Sequence, residues 1–348
     1  MAHRSINVTN VAASVRSRLT TLSAQQGQHL HDLILLYTLE GFLRRVAQSP
    51  HAEQLVLKGG LLLFSMSAAL GRTTRDLDLM GVHLRIDPAA VADLIRELCT
   101  QPLAEDDGLR FDPDNIETEI ILEEGDYQGV RAKLYAYLGR ARSRVIIDIA
   151  AGDPIVPGPR ELSFPTLLSK ESLTIKAYSV ESLIAEKFHA LALRGLRTSR
   201  LKDCYDLWAL SREHPFDGGL LQQAIQATFA ARDLAFTPNL PIILTLAFAE
   251  DEQKQQQWAA FRTGKNAAAA PASLAEALAP VITFLKPLWE ASADGHTFSG
   301  AWDAANGIWR EITESQPSAE TSLVPEPTES LPSAEEQPSP EPEEPAAH

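Results

Sequence analysis

Asp76 and Asp78 are the residues whose types and spacing point most directly to chemistry. Carboxylates at i and i+2 on an extended strand project from one face and can share divalent cations. Magnesium takes hard oxygen ligands, often one or two carboxylates beside substrate phosphates. Two such ions can align an attacking hydroxyl and a leaving pyrophosphate for in-line displacement at phosphorus. A third carboxylate on a neighbouring strand would complete the cluster. Asp148 is the candidate, because it interrupts the apolar run Val145-Ile146-Ile147 and Ile149, where a charge is costly unless paired or metal-bound. Gly59-Gly60 precedes an apolar stretch, Leu61 to Leu70, that reads as a helix closed by Gly71. Glycines admit phosphate oxygens to the backbone, and a helix N-terminus favours anions. Taken singly, a Gly-Gly step is more often a tight turn, and a lone pair of alternate aspartates is common on surface strands.

These residues need elements to hold them. Apolar positions Leu30, Leu33, Ile34, Tyr37, Leu39 and Phe42 recur at helical spacing, so residues 8–48 read as helix. Gln54 to Leu57 and Asp76 to Val82 read as strands, and residues 88–100 as an amphipathic helix. Three strand-like runs follow, Glu117–Glu123, Tyr127–Leu138 and Arg144–Ala150. The middle run alternates, placing Val130, Ala132, Leu134, Ala136 and Leu138 on one face and Arg131, Lys133, Tyr135 and Tyr137 on the other. A face of cations and aromatics suits nucleic acid, although an ordinary exposed sheet face looks the same. Gly152–Pro165 reads as a Pro/Gly-rich loop, Ser179 as the N-cap of a helix to about Leu193, and Leu201–Arg212 as a further helix. Beyond Pro215 the pattern is mostly helical, including Ala247–Thr263 and Ser273–Glu290. The fold class expected is α+β: a helical segment at 1–50, a mixed core at 51–215, a helical C-terminal domain at 216–312, and a disordered Pro/Glu/Ser-rich tail at 313–348.

The net charge of −15 argues against a polyanion ligand until its distribution is read. Residues 314–348 hold nine glutamates and no lysine or arginine; without them 37 acids face 31 bases, a net of −6. Arg131, Lys133, Arg140, Arg142 and Arg144 fall in a stretch without acids from Tyr127 to Ile147, and Lys187, Arg194, Arg197, Arg200 and Lys202 form a second cluster. Local patches decide polyanion binding more than net charge does. MAHRSINVTN has no apolar signal region, and no apolar run approaches the ~20 residues of a membrane span. Cys99 and Cys204 match no metal or redox spacing. A cytoplasmic protein is expected.

The order of strand, Gly-Gly, helix, turn and D-x-D strand resembles the polymerase-beta-like nucleotidyltransferases. Downstream, VESLIAEKFHALALRG at 180–195 and SRLKDCYDLWAL at 199–210 carry an A-E-K tripeptide and an R-x-K-D-x-x-D string. With LKGG at 57–60, R-x-T-x-D-x-D from Arg72 to Asp78, NVAASVRSRL and QQWAAF, the chain resembles the AbiEii toxin family over residues 8–312. The resemblance implies that Asp76 and Asp78 hold metal, that Lys187 contacts the triphosphate of a nucleotide, and that Asp203 serves the active site as base or organiser. Arg200, Lys202 and Asp206 would support them, Asp206 through an i, i+4 pair with Lys202. Leu61 stands where many members have Ser or Thr, so backbone donors of Gly60 and Leu61 would replace a hydroxyl. The implied function is a nucleotidyltransferase toxin of a toxin–antitoxin pair, active in growth arrest or phage defence. It would use Mg2+ or Mn2+ and an NTP, with RNA, above all a tRNA 3′ end, as acceptor. The basic strand residues with Arg194 and Arg197 would guide the RNA backbone, and an antitoxin protein would be a partner. Transfer to a protein hydroxyl and nucleotide binding without turnover are the alternatives.

Overall fold

The computed structural model describes residues 10–66, 74–123, 127–169, 171–263 and 269–311. The expected helix end at Leu70–Gly71, Arg72 and Thr73 of the motif, and the 313–348 tail lie outside them. The architecture is a mixed, eight-stranded sheet flanked by helices.

The apolar N-terminal stretch forms two helices where one was expected, α1 (Val11–Gln26) and α2 (Leu30–Ala47). Gly27 ends α1 in the left-handed conformation at φ 65°, which a glycine adopts without strain. Asn10 caps α1 by accepting the amide of Ala13. Then come β1 (Leu55–Lys58), α3 (Gly59–Met66), β2 (Asp76–Gly81) and α4 (Pro88–Thr100). Asp87 caps α4, and Pro88 takes the first turn, where no amide partner is needed.

A meander of β3 (Leu109–Phe111), β4 (Glu117–Glu123), β5 (Tyr127–Leu138) and β6 (Ala141–Ala150) follows. The alternation of β5 is realised: Val130, Ala132, Leu134, Ala136 and Leu138 are buried in the core, on the side where α2 and α4 pack. Arg131, Lys133, Tyr135 and Tyr137 are half-buried on the opposite face.

The segment expected as loop holds a strand, β7 (Arg160–Phe164), paired with β8 (Leu173–Ala177). Leu162 and Phe164 alternate inward there, but the run is too short to stand out against its flanking prolines. The sheet order is β3-β5-β6-β2-β1-β8-β7, with β4 also on β5. Strand β2 runs parallel to β6 and β1 parallel to β8; the other pairs are antiparallel.

Helices α5 (Val180–Arg194) and α6 (Leu201–Glu213) follow the sheet. Ser179 caps α5 as expected, accepting the amide of Ser182. The C-terminal region contains β9 (Phe216–Asp217), α7 (Gly218–Ala231), α8 (Leu246–Glu250), α9 (Glu252–Thr263), α10 (Leu274–Ala293), β10 (Ala301–Asp303) and β11 (Ile308–Arg310). It is therefore not all helical: β9, β10 and β11 form a three-stranded sheet. Phe284 of α10 packs against Phe216, Trp302 and Trp309, joining that sheet to the helix. Phe188 of α5 meets Phe229 of α7 and Trp289 of α10, so the C-terminal helices share a core with the helix bearing the A-E-K tripeptide. Among the described residues no helix is long and apolar enough to cross a membrane.

Candidate active site

Strand register brings the carboxylates together. Asp78 of β2 lies opposite Asp148 of β6, and Asp76 is two residues along on the same face. Asp76, Asp78 and Asp148 each offer an oxygen within 4.8 Å of the others. The expected third carboxylate is thus in place. Thr74 donates its hydroxyl to Asp76 Oδ1 at 2.9 Å. Burial, followed by the negative charge of Asp76, pushes Asp78 up to about 7, against the opposing charge of Lys58. Three hard oxygen donors, one of them reluctant to ionise because it is buried beside a second carboxylate, fit a divalent metal such as Mg2+ or Mn2+.

Gly59, expected in a phosphate cradle, lines the cleft and also meets a steric demand of its own. Its φ is +67°, and a Cβ there would stand 2.0 Å from Asp78 Oδ2. The glycine is needed because a carboxylate packs directly on the backbone. The amide of Gly60 points to the same oxygen at 3.4 Å.

Arg131, expected among the RNA contacts, is turned to the carboxylate triad. Its Nε and Nη2 donate to the two oxygens of Asp148, both at 2.8 Å. This bidentate pair follows from register, since Arg131 and Asp148 are cross-strand partners.

Helices α5 and α6 supply a basic wall across a cleft of about 430 Å³, lined by Asp76, Asp78, Gly59, Gly60, Lys187, Arg194, Arg200, Lys202 and Asp203 among others. Lys187 Nζ lies 3.0 Å from Asp203 Oδ1 and 2.6 Å from Asp206 Oδ2. Asp206, expected beside Lys202, therefore reaches Lys187. Arg200 Nε donates to Asp203 Oδ2 at 2.6 Å. Burial would raise Asp203, but Lys187 and Arg200 hold it below the ordinary carboxylate range. The connection between the helices is pinned by buried Lys254 of α9, which donates to the carbonyl of Thr198.

Beneath the cleft lies a cluster that the sequence did not announce. Lys58 Nζ lies 3.0 Å from Glu186 Oε1 and 3.5 Å from Asp153 Oδ2. Arg232, just past α7, donates to both oxygens of Asp153 at 3.0 and 2.8 Å and also lines the cleft. Burial raises Glu186, opposed by Lys58. Asp153 would be raised by burial too, but Arg232 and Lys58 hold it low. Lys58 and Glu186 do lie inside the LKGG and A-E-K strings. Asp153 and Arg232 carry no local signal, because their pairing spans 79 residues.

The remaining basic candidates fall into two groups, Arg194 and Arg197 around the end of α5 and Lys133, Arg140, Arg142 and Arg144 on the β5–β6 hairpin. Arg194 lies at the cleft. Arg197 sits on the short 3-10 turn Gly195–Arg197. Lys133 pairs with Glu119. Arg142 and Arg144 are exposed on β6, and Arg140 is exposed in the β5–β6 turn.

The family model described as "Nucleotidyl transferase AbiEii toxin, Type IV TA system" matches residues 41–280, which include both signature blocks, the carboxylates and the basic wall. Among solved structures, MenT4, a nucleotidyltransferase toxin from Mycobacterium tuberculosis H37Rv, is similar with a TM-score of 0.51. It is 17% identical, over 80% of this chain and 91% of that one. A Helicobacter pylori protein, JHP933, is 13% identical with a TM-score of 0.33, over 76% of this chain and 93% of that one. No curated protein matches significantly.

Proposed function

The chain belongs to the AbiEii nucleotidyltransferase toxin family, and from that premise we propose that it transfers a nucleoside monophosphate from an NTP to an RNA acceptor, with the tRNA 3′ end foremost. The observation that carries this reading is the cleft itself. A triad of carboxylates on β2 and β6 faces a wall of cations from α5 and α6. An acceptor hydroxyl attacks the α-phosphorus and releases its proton to solvent water, a new P–O bond forms, and the bond to pyrophosphate breaks. Asp76, Asp78 and Asp148 would hold divalent metal, which supplies charge neutralisation and alignment for in-line displacement, two ions being the usual complement.

The remaining work falls to the chain's own side chains. Lys187, Arg194, Arg200 and Lys202 bind triphosphate oxygens and the charge of the leaving pyrophosphate. Asp203 and Asp206 orient Lys187. Both oxygens of Asp203 are engaged by Lys187 and Arg200, which supports the organiser role over that of a base. Gly59 and Gly60 shape the turn that seats Asp78. Thr74 fixes Asp76. A cognate antitoxin and a cytoplasmic setting belong to the same reading.

The test is incubation of the full chain with Mg2+ or Mn2+, each of four labelled NTPs in turn, and total tRNA. The Asp76→Ala, Asp78→Ala variant runs beside it. Label entering tRNA with the wild type alone supports the reading and names the nucleotide. Label entering only protein assigns the acceptor to a protein hydroxyl. Tight NTP binding with no pyrophosphate released makes the chain a binding protein.

A further inference from the structure

In-line displacement constrains the direction from which an acceptor arrives, because attacking and leaving oxygens stand on opposite sides of phosphorus. Strand β2, with Asp76 and Asp78, has β1 on one side and β6 then β5 on the other. The cations suited to a leaving pyrophosphate line the cleft together with Lys58, Gly59 and Gly60, on the β1 side. The acceptor therefore approaches over β6 and β5.

That approach is a continuous strip of the catalytic face. The pairs Arg131–Asp148, Lys133–Ile146, Tyr135–Arg144 and Tyr137–Arg142 follow one another in unbroken register. Alternation puts all of them on the face of Asp148. From Asp148 to Arg142 the strip runs roughly 20 Å at ~3.3 Å per residue. A groove of about 310 Å³ opens along it, lined by Lys133, Tyr135, Tyr137, Arg142 and Arg144, with Asp112, Asn115 and Glu117. The Asp112 carboxylate accepts from Asn115 of its own loop. The guanidinium of Arg142 lies 4.6 Å from the Tyr135 ring centroid, and that of Arg110 lies 4.3 Å from Tyr137. Aromatic rings beside guanidinium groups take unstacked bases, whereas an A-form duplex keeps its bases stacked and its deep groove closed to side chains.

We infer that the acceptor enters as a single-stranded RNA 3′ end, its last nucleotides lying along β5 and β6 with bases against Tyr135 and Tyr137 and phosphates against Arg142 and Arg144. The inference rests on the RNA-acceptor reading above.

The test uses the full chain, a 5′-fluorescein single-stranded RNA ending in CCA, and a blunt RNA duplex containing the same strand. Affinity is read by anisotropy at one salt concentration, and label transfer from NTP to tRNA is followed in parallel. The single strand should bind about tenfold or more tighter than the duplex. Tyr135→Ala and Tyr137→Ala should each weaken it about tenfold, and Tyr135→Phe and Tyr137→Phe should retain affinity because the ring is kept. If an alanine variant loses its thermal transition, the Arg142→Gln, Arg144→Gln variant decides, with about tenfold weaker binding expected at low salt. Equal affinity for duplex and single strand, or wild-type affinity in folded variants, overturns the inference. Such variants beside a wild type that labels tRNA would leave the RNA-acceptor reading standing. A wild type that labels and binds no RNA overturns both.

Discussion

At the scale of single residues, Asp78 sets the electrostatics of the carboxylate triad. Burial and the charge of Asp76 raise it to about 7 from 3.8. The folded, metal-free protein then holds a proton that the unfolded chain releases, so the contribution of Asp78 to stability is complete below pH 3.8 and gone above about 7. A metal bound by the triad would displace the same proton. Mn2+ or Mg2+ affinity should therefore fall about tenfold for each pH unit below 7, and the slope should vanish in Asp78→Asn. Calorimetric titration on either side of neutrality checks this, and a pH-independent affinity in the wild type would count against it. The triad was legible in the sequence for a physical reason. Asp148 violates local patterning by interrupting an apolar run, and Asp76 and Asp78, which obey strand alternation, gained their meaning from the strand, Gly-Gly and helix that precede them. Arg131 obeyed its pattern, an exposed-face cation on an alternating strand, and only register showed that it pairs with Asp148.

At the scale of elements, periodicity carried β5, α4, α5 and α6 because their apolar stripes are long. It missed β7 and β8, whose five residues each give too few alternations, and it ran through Gly27, whose left-handed backbone ends the first helix. It also could not show that α7 reaches back to the cleft. Arg232 and Lys58 balance Asp153 and Glu186 in a site where Arg232 and Asp153 side chains are 5% and 1% exposed. Arg232→Met removes one cation and leaves an uncompensated buried carboxylate. The expected loss is about 3–5 kcal/mol, read as a lower midpoint in urea unfolding. Adding Asp153→Leu should recover part of it, because the remaining Lys58–Glu186 pair is again neutral. A single variant as stable as the wild type would show that the pair contributes no net stability.

At the scale of the whole molecule, a chain of net charge −15 must bind a polyanion through patches, so its RNA affinity should depend steeply on salt. For single-stranded RNA each phosphate contact contributes about 0.7 to the slope of log affinity against log salt. Arg142→Gln and Arg144→Gln should each reduce that slope by about 0.7, measured by anisotropy across a salt series. Arg131→Gln should leave it nearly unchanged, since Arg131 is bound to Asp148.

The reach of Arg232 across 79 residues to Asp153 also bears on whether this enzyme can be divided. A cut in the short connection between α6 and β9 would leave Lys58, Asp153 and Glu186 on one piece and Arg232 on the other. The aromatic contacts between Phe188 and Phe229 would be split in the same way. Each piece would expose one side of a joint interface and carry an incomplete cleft. Either piece alone should be inactive, and the two expressed together should copurify and recover nucleotide transfer. A first piece active by itself would refute this. The fold thus contains a natural seam for complementation, along which two silent fragments regain catalysis only on meeting.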